Sequence, residues 1–148
     1  MRLKYLTLLF CTVIVAKMYA KPDDILGEWV DEKKTGTSIY TKVGENKYSA
    51  VCGWQSDGVD KNGNPKLDKK NPDKSQRNKP VVGQHVMDVT YNPEKNTYNM
   101  DYAYDPSMGI AMKDCGTIKI SGDTMTIKAG WAFIKVTKKL RRVKTKFY

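Results

Sequence analysis

Hydrophobic and polar residues alternate with a period of two along most of this chain. The clearest stretch is 98–104, where Tyr98, Met100, Tyr102 and Tyr104 occupy every second position. Alternation of this kind is typical of β-strands that bury one face. Similar alternation occurs in stretches 25–29, 39–43, 48–54, 85–91, 125–133 and 136–142. Since no stretch has a good amphipathic-helix pattern, the sequence predicts an all-β protein.

Turn-forming residues separate these stretches at the short intervals expected of hairpins. They are Thr35-Gly36, Gly44-Glu45-Asn46, Asn92-Pro93, Asp105-Pro106 and Ser121-Gly122-Asp123. About eight strands joined in this way form an antiparallel meander, and closing the meander into an up-and-down β-barrel removes its exposed edges. The interior of such a barrel is either filled by side chains or holds one small ligand.

One long interruption separates the predicted third and fourth strands. Residues 55–82 have no apolar rhythm and contain many Lys and Asn residues, four Asp residues and three Pro residues. Loops of this length are usually functional or mobile. We therefore expect this segment to be a lid or a contact surface.

The first 20 residues have the three parts of a secretory signal peptide. Arg2 and Lys4 precede an apolar run of about a dozen residues, and Ala20 offers a small residue before a polar stretch. The run is shorter than the roughly 20 residues that span a bilayer. The sequence thus predicts a signal peptide at residues 1–20, a single barrel domain at 21–148 and a periplasmic or secreted location.

The chain is basic, with 26 Lys and Arg residues against 16 Asp and Glu and a formal charge of +10. Export removes most nucleic-acid partners, so anionic envelope components are the expected partners for peripheral contact. Beyond the signal peptide the only cysteines are Cys52 and Cys115. In an oxidising compartment they form either a disulfide or two buried thiols. We expect a monomer.

Several short motifs together resemble one bacterial family, the exported family called domain of unknown function 2147. They are Gly27-x-Trp29, Cys52-Gly53, Asn71-Pro72-Asp73 with Arg77, Pro80 and Gly83, Tyr104-Asp105-Pro106 with Gly109, and a closing Arg142-Val143. Each motif alone is weak, but their order and spacing cover nearly the whole mature chain. Leu140, Lys79 and Gln76 depart from the family pattern.

The resemblance implies a small lipocalin-like, or calycin-like, β-barrel without an established activity. In lipocalins a Trp in the Gly-x-Trp motif closes one barrel end beneath a late Arg. By that analogy Arg142 stacks on Trp29. The other interpretation makes Trp29 an ordinary core residue.

The motifs of common enzymes are missing from this sequence. His85 is the only histidine, and its alternation with apolar neighbours favours a core histidine over the base of a Cys52 dyad. Asp60 begins a segment similar to a calcium loop, but Pro65 replaces the required Gly and Asn71 the required Glu. We therefore predict a non-enzymatic protein without a metal or cofactor.

The first functional hypothesis is binding of a small amphipathic or anionic hydrophobic ligand inside the barrel. On the last strand, Lys138 and Arg142 share a face with Leu140, and that face points either inward, toward an acidic head group, or outward to solvent. The candidate ligand-binding residues are Trp54, Met87, Met100, Tyr102, Met125, Ile127, Trp131, Lys138 and Arg142. The alternative hypothesis is an envelope interaction protein with a filled core that contacts a partner protein or polyanion through the 55–82 loop.

Overall fold

Eight antiparallel strands close into a barrel in the computed structural model, which describes residues 20–131 and 133–148 without the Trp131 side chain. The strands are β1 (Gly27–Asp31), β2 (Gly36–Gly44), β3 (Lys47–Gln55), β4 (His85–Asn92), β5 (Thr97–Asp105), β6 (Ile110–Ser121), β7 (Thr124–Trp131) and β8 (Ile134–Arg142). Each strand pairs with its neighbour in sequence, and β8 returns to β1. Short 3-10 helices cover Pro22–Ile25 and Lys74–Gln76. The predicted up-and-down barrel is confirmed. The predicted signal peptide lies outside the described residues except for Ala20.

The two ends of the barrel are built differently. We call the end that carries the β2–β3, β4–β5 and β6–β7 turns the base, and the opposite end the mouth. The long β3–β4 loop, residues 56–84, belongs to the mouth. Among the described residues, no helix is long and apolar enough to cross a membrane.

Large side chains fill the base of the barrel. The fully buried residues include Trp29, Tyr40, Tyr48, Tyr98, Ile118 and Met125. Segment 20–25 is fixed across this end by tyrosine hydroxyls, because Tyr48 donates to Asp23 Oδ1 at 2.6 Å and Tyr98 donates to the Pro22 carbonyl at 2.9 Å. Both of these tyrosine hydroxyls thus have a partner, as burial of a polar group favours.

Arg142 covers the indole ring of Trp29 at this end. The guanidinium carbon lies 4.2 Å from the ring centroid. Its nitrogens donate to the carbonyls of Asp24 at 2.6 Å and Leu26 at 2.8 Å. The predicted stacking of Arg142 on Trp29 is confirmed.

The two predicted disulfide partners are free, buried thiols. Cys52 lies on β3 and Cys115 on β6, with β4 and β5 between them. Disulfide-bonded residues need Cα atoms within about 7 Å. Neighbouring strands are already about 4.8 Å apart, so residues on strands with two others between them lie too far apart. The bridge is therefore not formed, and burial raises the pKa of the Cys52 thiol to about 11.

Candidate functional site

The long loop, residues 56–84, is held in place by its own backbone hydrogen bonds. Isolated β-bridges join Val59 to Pro65 and Leu67 to Pro80. The amide of Asp68 donates to the Lys79 carbonyl at 2.9 Å. The loop also contacts the β5–β6 turn, where the Lys70 ammonium donates to the Ser107 carbonyl at 2.6 Å. It can therefore form a fixed wall against the barrel.

A buried carboxylate joins this loop to β5. Asp68 is 1 % exposed, and it accepts hydrogen bonds from the Tyr104 hydroxyl at 2.7 Å and the Asn71 amide at 2.8 Å. Arg77 Nε donates to the Asn71 carbonyl at 2.7 Å, and Asn71 Oδ1 accepts from the Asp73 amide. Burial and the bond to Asp68 raise the pKa of Tyr104. This network fixes the loop against β5, because each buried polar group depends on another for its hydrogen-bond partner.

An irregularity in β5 changes which side chains face the loop. Met100 pairs with Val89 on β4, whereas Tyr102 pairs with Asp88, so the register shifts between them. A shift of one residue exchanges the two faces of a strand. Tyr102 and Tyr104 consequently lie on the face opposite Met100. The simple alternation predicted from the sequence ends at this position.

A cavity of about 440 Å³ lies between the loop and the ends of β4 and β5. Its lining is polar and aromatic and consists of Asn71, Asp73, Gln76, Lys79, Gly83, Gln84, His85, Tyr102 and Tyr104. Ligand sites occupy roughly 300 to 1,000 Å³. The cavity is thus large enough for a small molecule.

His85 belongs to this cavity and is not the predicted core residue. Its side chain is 46 % exposed, its ring stacks on Tyr102 with centroids 5.2 Å apart, and Nε2 lies 2.8 Å from Asp88 Oδ1. The cause is an irregularity between β3 and β4. His85 pairs with Val51, and Val86 takes the buried position.

The charged residues of the cavity have opposite signs. Hydrogen bonds from the hydroxyl and amide of Ser75 hold the pKa of Asp73 below its usual range. Asp73 is therefore ionised at neutral pH, and Lys79 provides a cation in the same lining. The side-chain amides of Gln76 and Gln84 also line the cavity, so the lining offers both hydrogen-bond donors and acceptors.

Only part of the predicted ligand-binding set reaches this cavity. Tyr102 lines it. Met100, Met125 and Ile127 are buried in the barrel core, and Met87 accepts a hydrogen bond from the Tyr40 hydroxyl at 3.2 Å. These four side chains lie in the barrel interior, where a ligand was predicted, but they pack against the core and do not line the cavity. The Trp131 side chain lies outside the described residues.

Trp54 lies away from the barrel interior. A register shift between β2 and β3 separates Trp54 from the face that carries Cys52. Its ring stacks on Tyr148, with centroids 5.1 Å apart, and meets Phe147 edge to face. The C-terminal tail, not a ligand, covers this indole.

The two basic candidates are also placed elsewhere. Arg142 is at the base, bound to Trp29 and to backbone carbonyls. Lys138 shares a strand face with Leu140 but is exposed, because it lies beyond the buried part of β8. Neither can serve as an internal anchor for a buried head group.

The residues that carry the family resemblance divide between two places. Gly27, Trp29 and Arg142 meet at the base. Near the cavity are Cys52, Gly53, Asn71, Pro72, Asp73, Arg77, Pro80, Gly83, Tyr104, Asp105, Pro106 and Gly109, either in its lining or in the loop and strand ends that form it. Gly109 has a φ of +73°, and a Cβ there would lie 2.5 Å from the Lys70 carbonyl oxygen. These motifs therefore build the loop and its contact with the barrel.

The comparisons with known proteins agree with the fold. A family model described as "Uncharacterized protein conserved in bacteria (DUF2147)" matches residues 27–142. The chain belongs to the DUF2147 family. The match begins at Gly27 and ends at Arg142, which lie together at the base, so it spans the whole barrel.

A solved structure from Helicobacter pylori, protein HP1028, is described as belonging to the lipocalin family. It is 17 % identical to this DUF2147 protein, with a TM-score of 0.65 over 82 % of this chain and 84 % of that chain. No curated protein sequence matches. The likeness to HP1028 shows the lipocalin-like fold.

Sequence reasoning named five of the nine residues that line the cavity, Asn71, Asp73, Gly83, Tyr102 and Tyr104, and gave the other four no role in a site. Gln76, Lys79, Gln84 and Asp68 appear as ordinary loop residues in the sequence. Their only signal is position, because Gln76 and Lys79 lie among the motif residues 71–83 and Asp68 and Gln84 lie close to the ends of that stretch. Grouping the motif residues by loop, instead of searching the strand faces, is what would have indicated this site.

Proposed function

We propose that this protein is an exported, non-enzymatic β-barrel that binds a small amphipathic or anionic molecule in the cavity between the long loop and the barrel wall. The observation that carries the proposal is the 440 Å³ cavity, whose wall is fixed by the buried Asp68 network. A preformed wall lowers the ordering cost of binding.

The lining supports a ligand with one flat apolar face and one polar end. Tyr102 and Tyr104 provide aromatic surface, whereas Lys79, Gln76 and Gln84 provide polar contacts. A cation beside hydrogen-bond donors favours a carboxylate or phosphate group. Because the base of the barrel is filled, we place the ligand at the loop and not deep in the barrel.

A fluorescence titration tests the binding. Purified protein is titrated with a dansyl-labelled fatty acid, and dye fluorescence reports the complex. Lys79→Ala should weaken binding about tenfold, since a charge-assisted hydrogen bond contributes roughly 1.5 kcal/mol or more. Tyr102→Ala should also weaken it. Lys47→Ala is the matched control, because Lys47 is exposed on β3 near the base.

Two results would contradict the proposal. One is dye binding that is equal in the wild type, Lys79→Ala and Tyr102→Ala. The other is the absence of both dye binding and any small molecule in native mass spectrometry of protein extracted gently from cells.

Export is tested separately by fractionation. We expect the protein in the periplasmic fraction or the medium, with an intact mass that lacks residues 1–20. A cytoplasmic protein of full mass would refute this part of the proposal without affecting the binding assay.

A further inference from the structure

The hairpin of β7 and β8 extends beyond the closed part of the barrel. Pairing of β6 with β7 reaches only Gly116 and Ala129, and pairing of β1 with β8 reaches only Asp31 and Leu140. The two strands remain paired with each other as far as Trp131 and Ile134. We call residues 130–131 and 133–139 the ribbon. Along β8 the chain runs six residues past its last pair with β1, about 20 Å, whereas along β7 it runs two residues past its last pair with β6, about 7 Å.

The ribbon has an apolar tip and basic sides. Phe133 is 93 % exposed, Ile134 is 54 % exposed and Val136 is 43 % exposed. Lys135, Lys138 and Lys139 are exposed on the same short segment. Exposed apolar side chains that are grouped in this way indicate an interaction site.

The rest of the mouth shares this character. Of the ten large apolar side chains that are exposed in the described part of the chain, seven lie at this end, and they are Val59, Val82, Met108, Ile110, Phe133, Ile134 and Val136. From Gly130 to Lys139 the sequence has three Lys residues and no Asp or Glu. The mouth thus combines exposed apolar groups with a cationic strand pair.

From this combination we infer that the mouth docks on an anionic lipid bilayer, with the ribbon tip at the membrane interface. Apolar groups of interfacial proteins enter about 5 to 10 Å into the head-group region, while Lys side chains remain with the phosphates. Lys135 follows Phe133 by two residues, about 7 Å along an extended strand. This spacing puts its ammonium group near the phosphates when Phe133 reaches the acyl chains.

A second copy of this chain fits the ribbon less well. Its free edges could pair with another strand, but three lysines in ten residues repel an identical ribbon and discourage edge pairing. An anionic bilayer attracts the lysines of the ribbon and also accommodates the apolar side chains at its tip. The inference does not depend on the cavity, since no described side chain of the ribbon lines it.

Vesicle flotation tests the inference. We expect the protein to float with vesicles of phosphatidylglycerol and phosphatidylcholine in equal parts, to remain behind with pure phosphatidylcholine, and to dissociate as salt is raised. Lys135→Gln and Lys138→Gln should each reduce the affinity about fivefold, the effect of one lysine near an anionic surface. Phe133→Ser should also reduce it. The controls are Lys119→Gln on β6 and Val43→Ser at the base, both at exposed positions.

A fluorescent label locates the contact. Cys52 and Cys115 are buried with raised pKa values, so a new exposed cysteine is labelled selectively. An environment-sensitive dye on Phe133→Cys should shift to the blue with the anionic vesicles, and the same dye on Val43→Cys should not.

Three outcomes would overturn the inference. They are equal binding to pure phosphatidylcholine, unchanged binding of the Phe133 and lysine variants, and equal blue shifts at positions 133 and 43. A dimer that Phe133→Ser dissociates would instead identify a second copy as the occupant.

Discussion

Arg142 shows how one residue can unite distant parts of the chain. Its planar group stacks on Trp29 of β1 and donates to two carbonyls of the segment before β1. A guanidinium can make these three contacts at once because its donors lie in one plane. The residue predicted as a ligand anchor is thus a structural clamp at the base.

Arg142→Lys should lower the free energy of unfolding by about 2 kcal/mol, because a lysine cannot both stack and reach two carbonyls. Urea denaturation followed by circular dichroism measures this. Arg141→Lys is the control, since Arg141 is exposed on the adjacent position of β8. Equal losses in the two variants would refute the assigned role.

At the scale of elements, the attachment of the long loop to the β5–β6 turn is the feature that shapes the cavity. Gly109 and Gly122 both have positive φ, +73° and +56°. A side chain at Gly109 would meet the Lys70 carbonyl, whereas a side chain at Gly122 would meet nothing within 4 Å. A comparison of substitutions at the two glycines therefore separates the effect of backbone strain from the effect of the close approach of the loop.

Gly109→Ala should destabilise the protein more than Gly122→Ala. Both variants carry the cost of a left-handed alanine, about 1 to 2 kcal/mol, and Gly109→Ala also displaces Lys70. We expect faster limited proteolysis within residues 56–84 only in Gly109→Ala. Equal cleavage of both variants would show that the loop is not held at this turn.

For the whole molecule, the seam between the first and last strands is short. β1 and β8 share three residue pairs. The tail adds to them, since Val143 donates to the Glu28 carbonyl at 2.9 Å, and Phe147 and Tyr148 pack on Trp54. The C-terminal aromatic residues thus stabilise barrel closure from outside.

Replacing Phe147 and Tyr148 together by alanine should lower stability by about 1 to 2 kcal/mol, since each aromatic pair contributes roughly 0.5 to 1.5 kcal/mol. Tryptophan emission should also shift to the red as Trp54 becomes hydrated. Thr145→Ala, an exposed change in the same tail, serves as the control. An unchanged emission maximum in the double variant would mean that the stack does not persist in solution.

Period-two alternation and short turns predict the barrel and its strand order, because they act over a few residues at a time. The Trp29–Arg142 contact joins distant parts of the chain and was predicted only through the resemblance to lipocalins. Tertiary structure decided the site. Irregularities at β3–β4 and β5 exchange strand faces, which moves His85 and Tyr102 into the cavity, and a register shift carries Trp54 away from the interior. The long loop adds groups that are polar in sequence and form one wall of the cavity only when Asp68 is buried beneath Tyr104. Pairing register and burial depend on neighbours far apart in the chain, so a local pattern cannot specify them.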